Sequence, residues 1–86
     1  MAAPQIIHYG DNHCAFIVGD RTWYFSYTTC VAYEAWGEHA QDRETGHTRI
    51  RRQSNYSKTT AKYMRVMGVL TWPKVTDDEF DKIAAS

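Results

Sequence analysis

Apolar and polar residues alternate with a period of two through most of the first half of the chain, the pattern of strands with two unlike faces. A short β-type run covers Gln5 to Tyr9, and Gly10, Asp11 and Asn12 after it are turn residues that tolerate positive φ. A second strand is expected from His13 to Val18. Gly19 and Asp20 then mark a two-residue hairpin loop leading into Thr22 to Tyr27, where Trp23, Phe25 and Tyr27 point one way and Tyr24 and Ser26 the other. The run Cys30 to Trp36 alternates as well, either as a fourth strand or as the third continued past a bend at Thr28 and Thr29. Gly37 to Gly46 is polar, has glycine at both ends and reads as a long loop before a strand from His47 to Arg52.

Helical spacing takes over in the second half. Ser57 is a good N-cap for a helix from Lys58 to Met67, and Gly68 suits the left-handed position that ends it. Thr60, Ala61, Tyr63, Met64 and Met67 fall on one broad side of that helix, which is expected to meet the sheet. Pro73 holds Trp72 extended, and Thr76 with Glu79 forms a capping box for a last short helix. Its Phe80, Ile83 and Ala84, at i, i+3 and i+4, give it a face to dock. The fold expected is α+β: an antiparallel sheet of about four to five strands packed on one main helix, with a short C-terminal helix.

The length of 86 residues adds that this is one domain, spanning 1–86, with a core large enough to fold without staples. Three tryptophans and six tyrosines point to a sheet with an aromatic face. No apolar run approaches the length of a membrane helix, and Met1 to Gln5 lack the layout of a signal peptide, so a cytoplasmic protein with no membrane partner is expected. In that compartment Cys14 and Cys30 read as core thiols rather than a disulfide.

Charge changes the picture more. Ten basic and ten acidic residues cancel overall, yet no Asp or Glu lies between Thr45 and Thr76, where Arg49, Arg51, Arg52, Lys58, Lys62, Arg65 and Lys74 are found. On the strand, His47, Arg49 and Arg51 share one face while Ile50 looks to the core. On the helix, Lys58, Lys62 and Arg65 stand at i, i+4 and i+7, where like charges cost rather than help. A partner of opposite charge accounts for this arrangement. So does a plain solvated helix face, with the acidic loop or last helix neutralising the strip. At the helix start, the unpaired backbone N–H groups, Ser57, Thr59 and Lys58 form a candidate cradle for a phosphate or carboxylate, with Arg51 or Arg52 closing over it. The alternative is that Ser57 only caps. The candidate partner-binding or phosphate-binding residues are thus Arg49, Arg51, Arg52, Tyr56, Ser57, Lys58, Thr59, Lys62 and Arg65.

Catalytic chemistry does not assemble. His8, His13, Cys14, Cys30, His39 and His47 include no pair at zinc-finger spacing, and there is no C-x-x-C, G-x-S-x-G, Walker loop or H-E-x-x-H. No metal, no cofactor and no enzymatic activity are expected, which leaves binding.

Two stretches carry a resemblance. Tyr24-Phe25-Ser26-Tyr27-Thr28-Thr29-Cys30-Val31-Ala32 and Asn55-Tyr56-Ser57-Lys58-Thr59-Thr60-Ala61-Lys62-Tyr63 resemble a family of small tailed-phage proteins of unknown function. Its pattern is F-S-Y-x-T-x-V-A followed by N-x-[WY]-S-x-T-T-x-[KR]-H. Order and approximate spacing agree over about a fifth of the chain. Tyr63 stands where the pattern has histidine, so no role of that histidine carries over. The resemblance implies a phage origin and the cytoplasm of an infected bacterium. It also implies an interaction protein expected to bind and inhibit a host or anti-phage defence protein. Two alternatives use the same residues or the same sheet: a nucleic-acid-binding module on the basic strand and helix, and a virion structural or assembly protein whose free edge strand self-pairs.

Overall fold

Alternation places strands wherever the first 52 residues carry it, and register decides what each strand faces. The computed structural model describes residues 4–37, 40, 46–53 and 58–85. Along these the order is β1 (Gln5–Gly10), β2 (His13–Val18), β3 (Arg21–Ser26), β4 (Thr29–Trp36), β5 (His47–Arg52), α1 (Lys58–Met67), β6 (Lys74–Val75) and α2 (Asp77–Ala84). Among the described residues the six strands form one sheet in the order β1-β2-β3-β4-β5-β6. The first five run as an antiparallel meander, and β6 joins β5 in parallel.

The α+β class therefore holds, but the sheet is larger than the four to five strands expected and is mixed rather than purely antiparallel. Two residues of β6 are too few to show a period, so only the Arg51 N–H donating to the Pro73 carbonyl (2.9 Å) and the pairing of Lys74 and Val75 reveal the strand. Cys30 to Trp36 belongs to a separate fourth strand. Ser26 pairs with Thr29 across a tight Tyr27–Thr28 turn, with Tyr27 at φ 56°. Tyr27 thus leaves the strand and does not continue the face of Trp23 and Phe25.

The two helices cover opposite faces. Residues directly across a strand pair share a face, so Tyr24 with Ala32 lies on one side and Trp23 with Tyr33 and Ile50 on the other. On the first face Met64, Met67 and Val69 pack with Val31 and Ala32, joined by Tyr24, Tyr63, Leu70 and Trp72. On the second, Phe80 packs with Tyr33, Ala35 and Ile50, joined by Trp23, Cys30, Val75, Ile83 and Ala84. A bulge between Tyr24 and Phe25 on β3 and their β4 partners admits Val31 as an extra residue. It lets Cys30 face α2 while Val31 and Ala32 both serve the α1 side.

Helix ends follow the expected chemistry where they are described. Gly68 at φ 79° and the Val69 N–H donating to the Met64 carbonyl (2.9 Å) close α1. The Thr76 hydroxyl accepts from the Glu79 N–H (3.2 Å) and caps α2. The proposed caps and cradle residues Tyr56 and Ser57, His39 and most of the loop between Gly37 and Gly46 lie outside the described residues. Cys14 and Cys30 are free thiols, each paired across from Phe25 on opposite sides of β3. Two strand spacings, about 10 Å, separate them, beyond the reach of a disulfide. Among the described residues no helix is long and apolar enough to cross a membrane.

Candidate functional site

The seven cations of the basic segment do not form one strip. Arg52 sits on the α2 face, where its Nη2 donates to the Asp81 carboxylate at 2.6 Å and its Nε to the Cys30 carbonyl at 2.9 Å, with the guanidinium over the Phe80 ring. It cannot close over the start of α1, because the sheet lies between them. Arg49 is on the α1 face, but Glu34, its direct cross-strand partner, accepts from its Nε at 2.8 Å. The same Glu34 oxygen lies 2.8 Å from His47 Nε2, and His47 stacks on Trp36 at 3.6 Å between ring centres. Arg49 also lies over Trp72, which meets Tyr24 edge-on. Arg51 faces the α1 side with its Nε shielded from solvent and without a hydrogen-bond partner among the described residues.

Lys58, Thr59, Lys62 and Arg65 remain exposed along α1. α1 contains no acidic residue, and none of its three cations enters an ion pair among the described residues. On the far side of the sheet, α2 carries Asp77, Asp78, Glu79 and Asp81 against Lys82 alone. Among the described residues the charge of the two helices is therefore polarised across the sheet, basic over α1 and acidic over α2.

Beside the basic helix lies an aromatic rim that the reading of the sequence missed. Here the β1–β2 turn, the β3–β4 turn and α1 converge. The Tyr27 N–H donates to the Asn12 carbonyl at 2.6 Å and locks the two turns together. Tyr9, His13 and Tyr63 form a parallel stack, with ring centres 6.4 and 4.1 Å apart, and Tyr27 tilts against Tyr63 at 5.9 Å. Ser26 Oγ donates to Thr60 Oγ1 at 3.3 Å just beneath. The Tyr63 hydroxyl accepts from Asn12 Nδ2 (3.5 Å) and from Tyr27, which holds its pKa below the usual tyrosine value. Tyr27, as the donor to Tyr63, is raised. The His13 ring lies so close to Gly10 that no Cβ fits there, and its Nδ1 is shielded without a hydrogen-bond partner among the described residues.

Two separate stretches of the chain thus touch: Ser26 and Tyr27 at the β3–β4 turn meet Thr60 and Tyr63 on α1. A tight turn between two alternating runs, at Tyr27–Thr28, is the sequence signal for this rim. Burial, only partly offset by Arg52, pushes the Cys30 thiol up to about 11. Comparison of the chain with protein-family models, with curated proteins and with solved structures yields no match.

Proposed function

We propose that this domain is a non-catalytic interaction protein that docks on an acidic protein surface through the outer side of α1 and the aromatic rim beside it. Lys58, Lys62 and Arg65 supply charge and Tyr27 the central contact, with Thr59 at the margin. The observation that carries the reading is that these three cations have no acidic partner on their own helix, while Arg49 and Arg52 are already spent on Glu34 and Asp81. Tyr27 is 56% exposed in a left-handed conformation that costs a non-glycine residue about 1–2 kcal/mol, the kind of strain that persists where a side chain must be presented. Exposed tyrosine beside arginine and lysine is the composition of an interface centre with its polar rim.

The resemblance to small phage proteins makes a host or anti-phage defence protein the partner class we favour, with inhibition as the consequence of docking. A nucleic-acid partner is the weaker reading. Three cations without an ion pair among the described residues, on a chain of zero net charge and with the acidic α2 on the opposite face, give little of the long-range attraction that phosphate backbones reward. The test is titration of the purified protein against labelled single- and double-stranded DNA and RNA at low and physiological salt, beside affinity capture from a bacterial host lysate. A captured protein that persists at physiological salt supports the reading. Nucleic-acid affinity that falls steeply with salt, with no protein captured, replaces it with the alternative.

A further inference from the structure

We infer that β1 is the contact through which two copies of this chain form a dimer, pairing antiparallel about a two-fold axis near Ile7. The pairing edge of β1 is a different surface from the outer side of α1, sharing only Tyr9 with the aromatic rim, and the inference does not depend on the partner proposed there. All six residues of β1 are exposed: α1 reaches the sheet as far as β2, where Tyr63 stacks on His13, and the two apolar clusters are built on the later strands. Ile6, Ile7 and Tyr9 on β1 and Phe16 and Val18 on β2 are each 36–55% exposed.

Edge strands of monomers are commonly blunted by charge, proline or a bulge. Gln5–Gly10 contains no Asp, Glu, Lys, Arg or Pro, and its one irregularity, between His8 and Gly10, lies at the turn end and leaves Gln5 to His8 regular. Two such edges meet without like charges opposed, and a chain of zero net charge adds no repulsion at longer range. Edge-to-edge pairing covers the outward main chain and side-chain flanks of β1 and leaves both of its faces exposed, so the interface is small and belongs to the weakly associating class. A self-pairing strand satisfies its own outward N–H and C=O groups, which a charged or irregular partner edge does less well. The two-fold axis stands perpendicular to the sheet, so both α1 helices stay on one side and the basic face is doubled.

The test is molar mass by sedimentation equilibrium from about 10 to about 500 µM, a range that brackets a weak interface of this size. The expected result is a mass that rises with concentration toward twice the 10.0 kDa of one chain. Ile6→Lys and Ile7→Lys, on opposite faces of an exposed strand, each hold it at the single-chain value with an unchanged circular dichroism spectrum. In the unmodified chain, amide exchange in β1 slows as concentration rises, a readout that needs no variant. A single-chain mass at every concentration overturns the inference, as does a dimer that survives both substitutions.

Discussion

At the scale of single residues, Tyr27, Gly10 and Cys30 each hold a position that their neighbours dictate. Tyr27 occupies left-handed backbone with its ring half in solvent, so its conformation is unfavourable and its packing modest. Tyr27→Asn, which tolerates that φ, is expected to leave stability unchanged or raise it by up to about 1 kcal/mol in urea denaturation while weakening partner binding. A residue kept only for the fold would show a loss instead. Gly10→Ala forces the new methyl group into the His13 ring, which Tyr63 holds from the other side. The expected cost is about 1–3 kcal/mol, measured the same way. For Cys30, the thiol ionises near 9 when unfolded and near 11 when folded. Below pH 9 both states keep the proton and nothing is lost; between pH 9 and 11 the unfolded state alone releases it. Stability falls over that window by on the order of 2 kcal/mol, and Cys30→Ala removes that part of the slope in alkaline denaturation.

At the scale of elements, Arg52 ties β5 to α2 and does more than an ordinary surface ion pair. Its side chain is 15% exposed against 64% for Asp81, and it also serves the Cys30 carbonyl and covers Phe80. Arg52→Ala is therefore expected to cost about 1–3 kcal/mol and to loosen α2 in amide exchange. Asp81→Asn, which leaves the Cys30 and Phe80 contacts in place, costs less than about 1 kcal/mol. These elements were legible in the sequence to different depths. Alternation from His13 to Arg52 and the caps at Gly68 and Thr76 are local signals, and the strands and helices they mark are present. β6 was not legible, since Lys74 and Val75 become a strand only because β5 lies beside them. Nor was the division of the arginines. Arg49 and Arg52 look alike in a basic run, and only the register that sets Glu34 opposite Arg49 and the docking of α2 that brings Asp81 to Arg52 tell them apart.

At the scale of the whole molecule, the two helices give the described residues two unlike surfaces separated by a sheet. α1 presents three cations and no acid, α2 four carboxylates and one lysine, and β1, exposed along its length, forms a third, apolar margin. Such a layout suits a small domain whose work is to be held against other molecules. Local alternation and helical spacing predicted that a basic helix would exist; that the acidic residues of α2 lie on the opposite face follows from the order of the sheet. The aromatic rim is likewise a product of topology, since Tyr9, Tyr27 and Tyr63 come from three elements. The most direct measurement is capture from host lysate by the unmodified chain, by Lys58→Glu/Lys62→Glu/Arg65→Glu and by Arg49→Ala, followed by the affinity of each for the captured protein. One protein is expected to be held by the unmodified chain and by Arg49→Ala, with the triple reversal weaker by about 100-fold, as loss of about 1 kcal/mol at each of three positions implies. Equal affinity for the triple reversal would contradict it.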